Sequence, residues 1–100
     1  FWRIEVHDSA RSDGKLLFRI TPEGQAPAEI EVAVARGTGE NRIARAIRSA
    51  LREKLTGERY RIKVEYGEDV VIRAWPGAPS FELELVSSTV KGVSIDLHIQ

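Results

Sequence analysis

The side chains best suited to chemistry in this chain are its two histidines, His7 and His98, each on the polar side of an alternating segment. If those two segments were neighbours, Glu5, His7, Asp96 and His98 would converge, and imidazole with carboxylate is a common metal-ligand set. Their spacing does not demand a metal, and the polar face of a strand ordinarily meets water, so no metal ligand is assigned. The chain contains no cysteine, which excludes disulfides, thiolate metal sites and a cysteine nucleophile. It has no G-x-S-x-G segment, and scattered serines with two distant histidines do not make a triad. No catalytic residue is expected, and the reading is non-enzymatic.

Arg36-Gly37-Thr38-Gly39-Glu40-Asn41-Arg42 follows a strand-like run and opens a helix-like one. It invites comparison with G-x-G-x-x-G, whose third glycine lets helix and strand pack closely around a dinucleotide. Arg42 stands at that third position, so the glycines read as turn and cap residues and no cofactor is expected. Paired carboxylates, Glu29 with Glu31 and Glu82 with Glu84, lie two apart on outer strand faces; Arg61, Lys63 or bases on other neighbouring strands are their expected partners.

Two features point to contact surfaces. Between Arg36 and Lys63 lie nine bases and three acids, a local charge of +6 in a chain whose total is zero. At about 100° per residue, Arg45, Arg48 and Arg52 cluster opposite the apolar face of a helix, forming a stripe of the kind that binds phosphate backbones. No stacking aromatics are interleaved with it, and a solvated outer helix face is the plainer reading. Trp75 precedes Pro76-Gly77-Ala78-Pro79; tryptophan at such a turn serves as an interface anchor or caps the core.

The elements that must position these residues are legible from periodicity. Tyr60 to Tyr66 alternates strictly between apolar and charged residues, as do the segments around Ile4, Phe18, Val32, Leu83 and Leu97, which reads as half-buried strand. With the more continuously apolar Val70 to Trp75, the count is seven. One helix is expected from Glu40 to Leu55, with Ile43, Ile47 and Leu51 on its apolar arc, Thr38 or Gly39 at its N-cap and Gly57 at its C-terminal end. That arc is expected to pack on Ile62, Val64, Ile95 and Leu97. Asp13-Gly14 predicts a hairpin between the first two strands, Pro22 to Gly24 a turn, Gly67 to Asp69 a reversal into the next strand, and Pro76 to Pro79 another before Phe81. The order β-β-β-α-β-β-β-β gives an α+β class with mostly antiparallel sheet.

One hundred residues, 42% hydrophobic, suit a single domain spanning 1–100. The absence of methionine, and an end within a strand-like run, suggest a domain excised from a longer protein. No apolar run approaches the roughly 18 residues of a membrane helix, so no membrane partner is expected. Arginine outnumbers lysine eleven to four, which fits a GC-rich bacterial or phage coding sequence.

The run Ile30 to Val34, then Gly37-Thr38-Gly39, then Ile43 to Leu51, followed by paired strands, resembles a strand-helix-hairpin module of structural proteins in tailed bacteriophages and related contractile assemblies. The resemblance covers about Ile30 to Leu85, and the arginine-rich helix departs from it. It implies a structural role. The expectation is therefore a structural or protein-interaction domain of a larger bacterial or phage assembly, acting through protein partners or self-association. Sheet edges, Arg45, Arg48, Arg52 and Trp75 would be its contact surfaces. The alternative is a nucleic-acid-binding module that uses the arginine face.

Overall fold

Alternation along the chain becomes strand in the computed structural model of the protein, which describes residues 1–55 and 59–100. Seven strands and one helix follow in the expected order: β1 (Trp2–His7), β2 (Gly14–Pro22), β3 (Ala28–Val34), α1 (Glu40–Lys54), β4 (Tyr60–Glu65), β5 (Asp69–Ala74), β6 (Phe81–Ser88) and β7 (Ser94–Ile99). They form two antiparallel sheets, one of four strands in the order β4-β5-β1-β7 and one of three in the order β3-β2-β6. This is the α+β class that the periodicity implied.

Both sheets and the helix feed one apolar core. Every second residue of β2 and β3 is buried, namely Leu16, Phe18 and Ile20, then Ile30, Val32 and Val34, and Ile4, Val6, Val70 and Ile72 do the same for the larger sheet. The helix buries Ile43, Ala44, Ile47 and Leu51, a three-and-four spacing that makes one continuous face. Its neighbours are β3 in one sheet and β1, β4 and β5 in the other, so a single amphipathic face closes the gap between two sheets. Of the strand residues expected beneath it, Ile62 is buried, whereas Val64, Ile95 and Leu97 are half-buried at the margin of the core. Gly39 is the N-cap, without a side-chain capping bond; Gly57 lies outside the described residues.

The turns correct two expected strand pairings. β2 and β3 form a hairpin, with Gln25 N–H donating to the Pro22 carbonyl at 3.0 Å. β4 and β5 form another, reversed through Tyr66 and Gly67, both in the left-handed region. β1 and β2 do not pair. Residues 8–13 instead carry the chain from one sheet to the other, held by Ala10 N–H to the Thr38 carbonyl at 2.9 Å, Gly37 N–H to the Ala10 carbonyl at 2.8 Å and Arg11 N–H to the Lys91 carbonyl at 2.8 Å. Gly14 is needed there for closeness: a Cβ at this position would stand 2.7 Å from the Thr89 backbone, a separation no side chain tolerates. Likewise the Trp75 to Pro79 segment does reverse, with Ala78 N–H donating to the Trp75 carbonyl at 2.9 Å, but it links strands of different sheets.

Candidate interaction surfaces

Because β1 and β2 part, β1 pairs with β7, and this brings the two histidines together. The register sets Glu5 opposite Asp96 and Arg3 opposite His98. His7 Nε2 lies 3.0 Å from Asp96 Oδ2 and 3.8 Å from Glu5 Oε2, and His98 Nε2 lies 2.7 Å from Glu5 Oε1. Each imidazole is thus engaged by a carboxylate on an open sheet face. Among the described residues no group of three or more histidine and carboxylate side chains is arranged to hold a metal ion.

The same face continues across β5 and β4 as a lattice of charges. The Arg3 guanidinium donates to Glu65 at 3.0 Å and Asp69 at 2.9 Å, and Lys63 Nζ reaches Glu65 at 3.1 Å. These long side chains roof over Val71, which is fully buried although it faces away from the main core. Lys63 first, and then Arg3, hold the Glu65 carboxyl below the usual carboxylate range. Asp69 keeps one oxygen, Oδ1, buried without a hydrogen-bond partner. On the three-stranded sheet, Arg19 bridges Glu29 at 2.8 Å and Glu84 at 3.0 Å, and Lys15 meets Glu31 at 2.8 Å. Glu29, Glu31 and Glu84 therefore take bases of the neighbouring strand β2, within the range of partners the sequence suggested, although not Arg61 or Lys63.

The arginine stripe is divided by the fold. Arg45 and Arg52 are exposed on the helix side away from the core, Arg48 is half-buried at its flank, and Arg45 and Arg48 form no ion pair among the described residues. Arg52 is committed elsewhere: its Nε and Nη2 donate to the Ile62 carbonyl at 3.1 and 2.6 Å. The helical period places Arg52 beside the other two, but the nearby β4 backbone claims it.

Trp75 is 46% exposed at one end of the four-stranded sheet. At that end Phe1, Trp2, Phe81 and Ile99 line a cleft of about 290 Å³ together with Arg73, Ala74 and Ser80. The Trp2 indole donates to the Phe81 carbonyl at 3.1 Å, and the Arg73 guanidinium stacks 3.8 Å above the Phe1 ring. Ile99, at the end of β7, is 67% exposed. The sequence did not single it out, although it closes an alternating apolar run whose other members turn inward.

The four outer strands differ in how their free backbone is managed, a property invisible until the pairing is known. β3 lies against α1, where Ala50, Glu53 and Lys54 adjoin Ile30 and Glu31. β6 carries an irregularity opposite Leu17 and Phe18 that leaves Val86 unpaired and exposed, as in a bulge that disrupts an edge. β4 has its Ile62 carbonyl occupied by Arg52. β7 approaches β6 of the other sheet, with Ile99 sharing a cleft with Phe81 and Glu82, but no bulge interrupts it and no side chain takes its outward groups, and its register with β1 is unbroken from Ser94 to Ile99.

Among the described residues no helix is long and apolar enough to cross a membrane. No protein-family model matches the chain, and neither the curated proteins nor the solved structures contain a significant match.

Proposed function

We propose that this chain is a non-enzymatic structural or protein-interaction domain, and that its contact surface is the apolar end of the four-stranded sheet with the adjoining β7 edge. The observation that carries the reading is the gathering there of Trp75, Ile99 and the aromatic-lined cleft of Phe1, Trp2 and Phe81. An exposed tryptophan near a cleft whose aromatic walls are joined by Arg73 and Ser80 is the composition of an interface anchor, since large apolar groups left in water favour a partner. The polar faces of the two sheets engage themselves through Arg3, Lys63, Arg19, Lys15 and both histidines. The resemblance of Ile30 to Leu85 to modules of phage and contractile assemblies supports placing the domain within a larger bacterial or phage assembly. Nucleic acid is the weaker alternative, because one arginine of the stripe is spent on the β4 backbone.

Site-specific photo-crosslinking tests this reading in the parent protein within its source cells. A photoreactive phenylalanine analogue in place of Trp75 should give a discrete covalent adduct with one protein. The same probe in place of Glu84, on the ion-paired face of the smaller sheet, should give none. Adducts that are absent at position 75, or equally frequent at both positions, would remove the support for an interaction surface there.

A further inference from the structure

The bonding pattern of β7 specifies a partner. Phe1 and Gln100 exchange both backbone hydrogen bonds, at 2.9 and 2.8 Å. Bonded and non-bonded pairs alternate along an antiparallel ladder, so Arg3 with His98, Glu5 with Asp96 and His7 with Ser94 are the bonded pairs. Ile95, Leu97 and Ile99 therefore direct their N–H and C=O groups away from β1, and none of these groups has another partner among the described residues. The remaining edges are covered, bulged or partly occupied, whereas β7 contains no lysine, proline or bulge to discourage an added strand.

We propose that β7 is a self-pairing edge, through which two copies of this chain join antiparallel with Leu97 on the two-fold axis. The inference rests on the interaction reading above and names its partner. A two-fold pairing that uses the outward groups can set Leu97 opposite its own copy or shift by two residues either way. With Leu97 on the axis, Asp96 of each copy faces His98 of the other, twice. A shift one way opposes Asp96 to Asp96, and a shift the other way opposes His98 to His98. Unlike groups directly opposite stabilise an antiparallel pair and like charges destabilise it, so the side chains select the central register. That register pairs five of the six β7 residues, as does the one that opposes Asp96 to itself, but it alone lays Ile99 beside Ile95 of the other copy on the apolar side, covering a side chain that is 67% exposed. An interface that repeats itself under a two-fold axis is the commonest closed arrangement of identical chains, and here it would give one continuous sheet of two four-stranded halves.

Sedimentation of the chain over a concentration series, paired with disulfide trapping, tests the proposal. The expected result is a concentration-dependent dimer, weakened about tenfold or more by Ile99→Lys, since a lysine on an edge discourages pairing. Because Ile99 is largely exposed, that variant should keep the wild-type circular dichroism and, at dilutions where both are monomeric, the wild-type melting temperature. The native chain has no cysteine, so Asp96→Cys and His98→Cys chains can be mixed and oxidised without interference. In the central register those two positions form a non-bonded pair with Cα atoms about 4.5 Å apart, within reach of a disulfide. The mixed disulfide should then dominate over either chain linked to itself. A strict monomer up to about 1 mM, a free energy of association weaker than roughly 4 kcal/mol, would overturn the proposal, as would dominant 96–96 or 98–98 links. If the chain is monomeric while the probe at position 75 still captures one other protein, self-pairing fails and the interaction reading survives. If neither association occurs, both fail.

Discussion

β4 and β7 are the two outer strands of the same sheet, each six residues long and each paired on one side only. Their unpaired sides differ. β4 is bordered by the helix, whose Arg52 reaches across to its Ile62 carbonyl, and it carries Arg61 and Lys63 on its polar face. β7 is bordered by nothing that bonds its outward groups, and it ends on an exposed isoleucine. Sheet edges are liabilities that folded chains manage, so the difference locates the side of this sheet left available for a partner. The guard on β4 also depends on a tertiary fact, the seating of one helix between two sheets.

Unseating the helix should produce the largest effect. Ile47 is fully buried in the face that closes the core, and Ile47→Ala should cost about 2 to 5 kcal/mol through lost burial and the cavity left behind. Chemical denaturation measures this, and a loss below roughly 0.5 kcal/mol, the level of ordinary surface changes, would show that the helix does not anchor the fold. Removing only the guard is gentler. Arg52→Ala deletes the two bonds to the Ile62 carbonyl while leaving the core intact, with an expected cost of about 0.5 to 1.5 kcal/mol and faster aggregation on heating. An unchanged melting temperature together with unchanged aggregation would mean that Arg52 does not protect β4.

The smallest expected effect is electrostatic and lies on the polar face shared by the two edges. Lys63 and Arg3 lower the Glu65 pKa in the folded chain. The stability they contribute is therefore complete above the ordinary glutamate value of about 4.3, and it is lost as pH falls through the lower folded value. Denaturation midpoints of the native chain and Glu65→Gln should differ near neutral pH and converge in acid. A difference that widens on acidification would reverse the sign and reject the assignment.

Local periodicity carried the elements into view, and pairing is where it ran out. The spacing of Ile43, Ile47 and Leu51 and the alternation of Tyr60 to Tyr66 reflect burial on one face, which a sequence records directly. Asp13-Gly14 shows the difficulty: glycine is compatible with a tight hairpin, but here it allows the backbone to pass the Thr89 segment without a Cβ, and composition does not separate those two uses. The convergence of His7 with Asp96 and His98 with Glu5 was readable only on the condition that the first and last strands pair. Arg52 joined the stripe by helical angle, yet the carbonyl it bonds belongs to a strand whose position the helix alone does not define. Edge status is likewise relational, so the alternation of β7 gave no sign that its outer side would be open.

Residue-resolved amide hydrogen exchange across a protein concentration series tests the contrast between the two edges most directly. The outward amides of Ile95, Leu97 and Ile99 should become more protected as concentration rises, by about tenfold or more where the paired form predominates. Those of Tyr60, Ile62 and Val64 on the β4 edge should not change. Protection at β7 that is independent of concentration, or a rise confined to β4, would contradict the account.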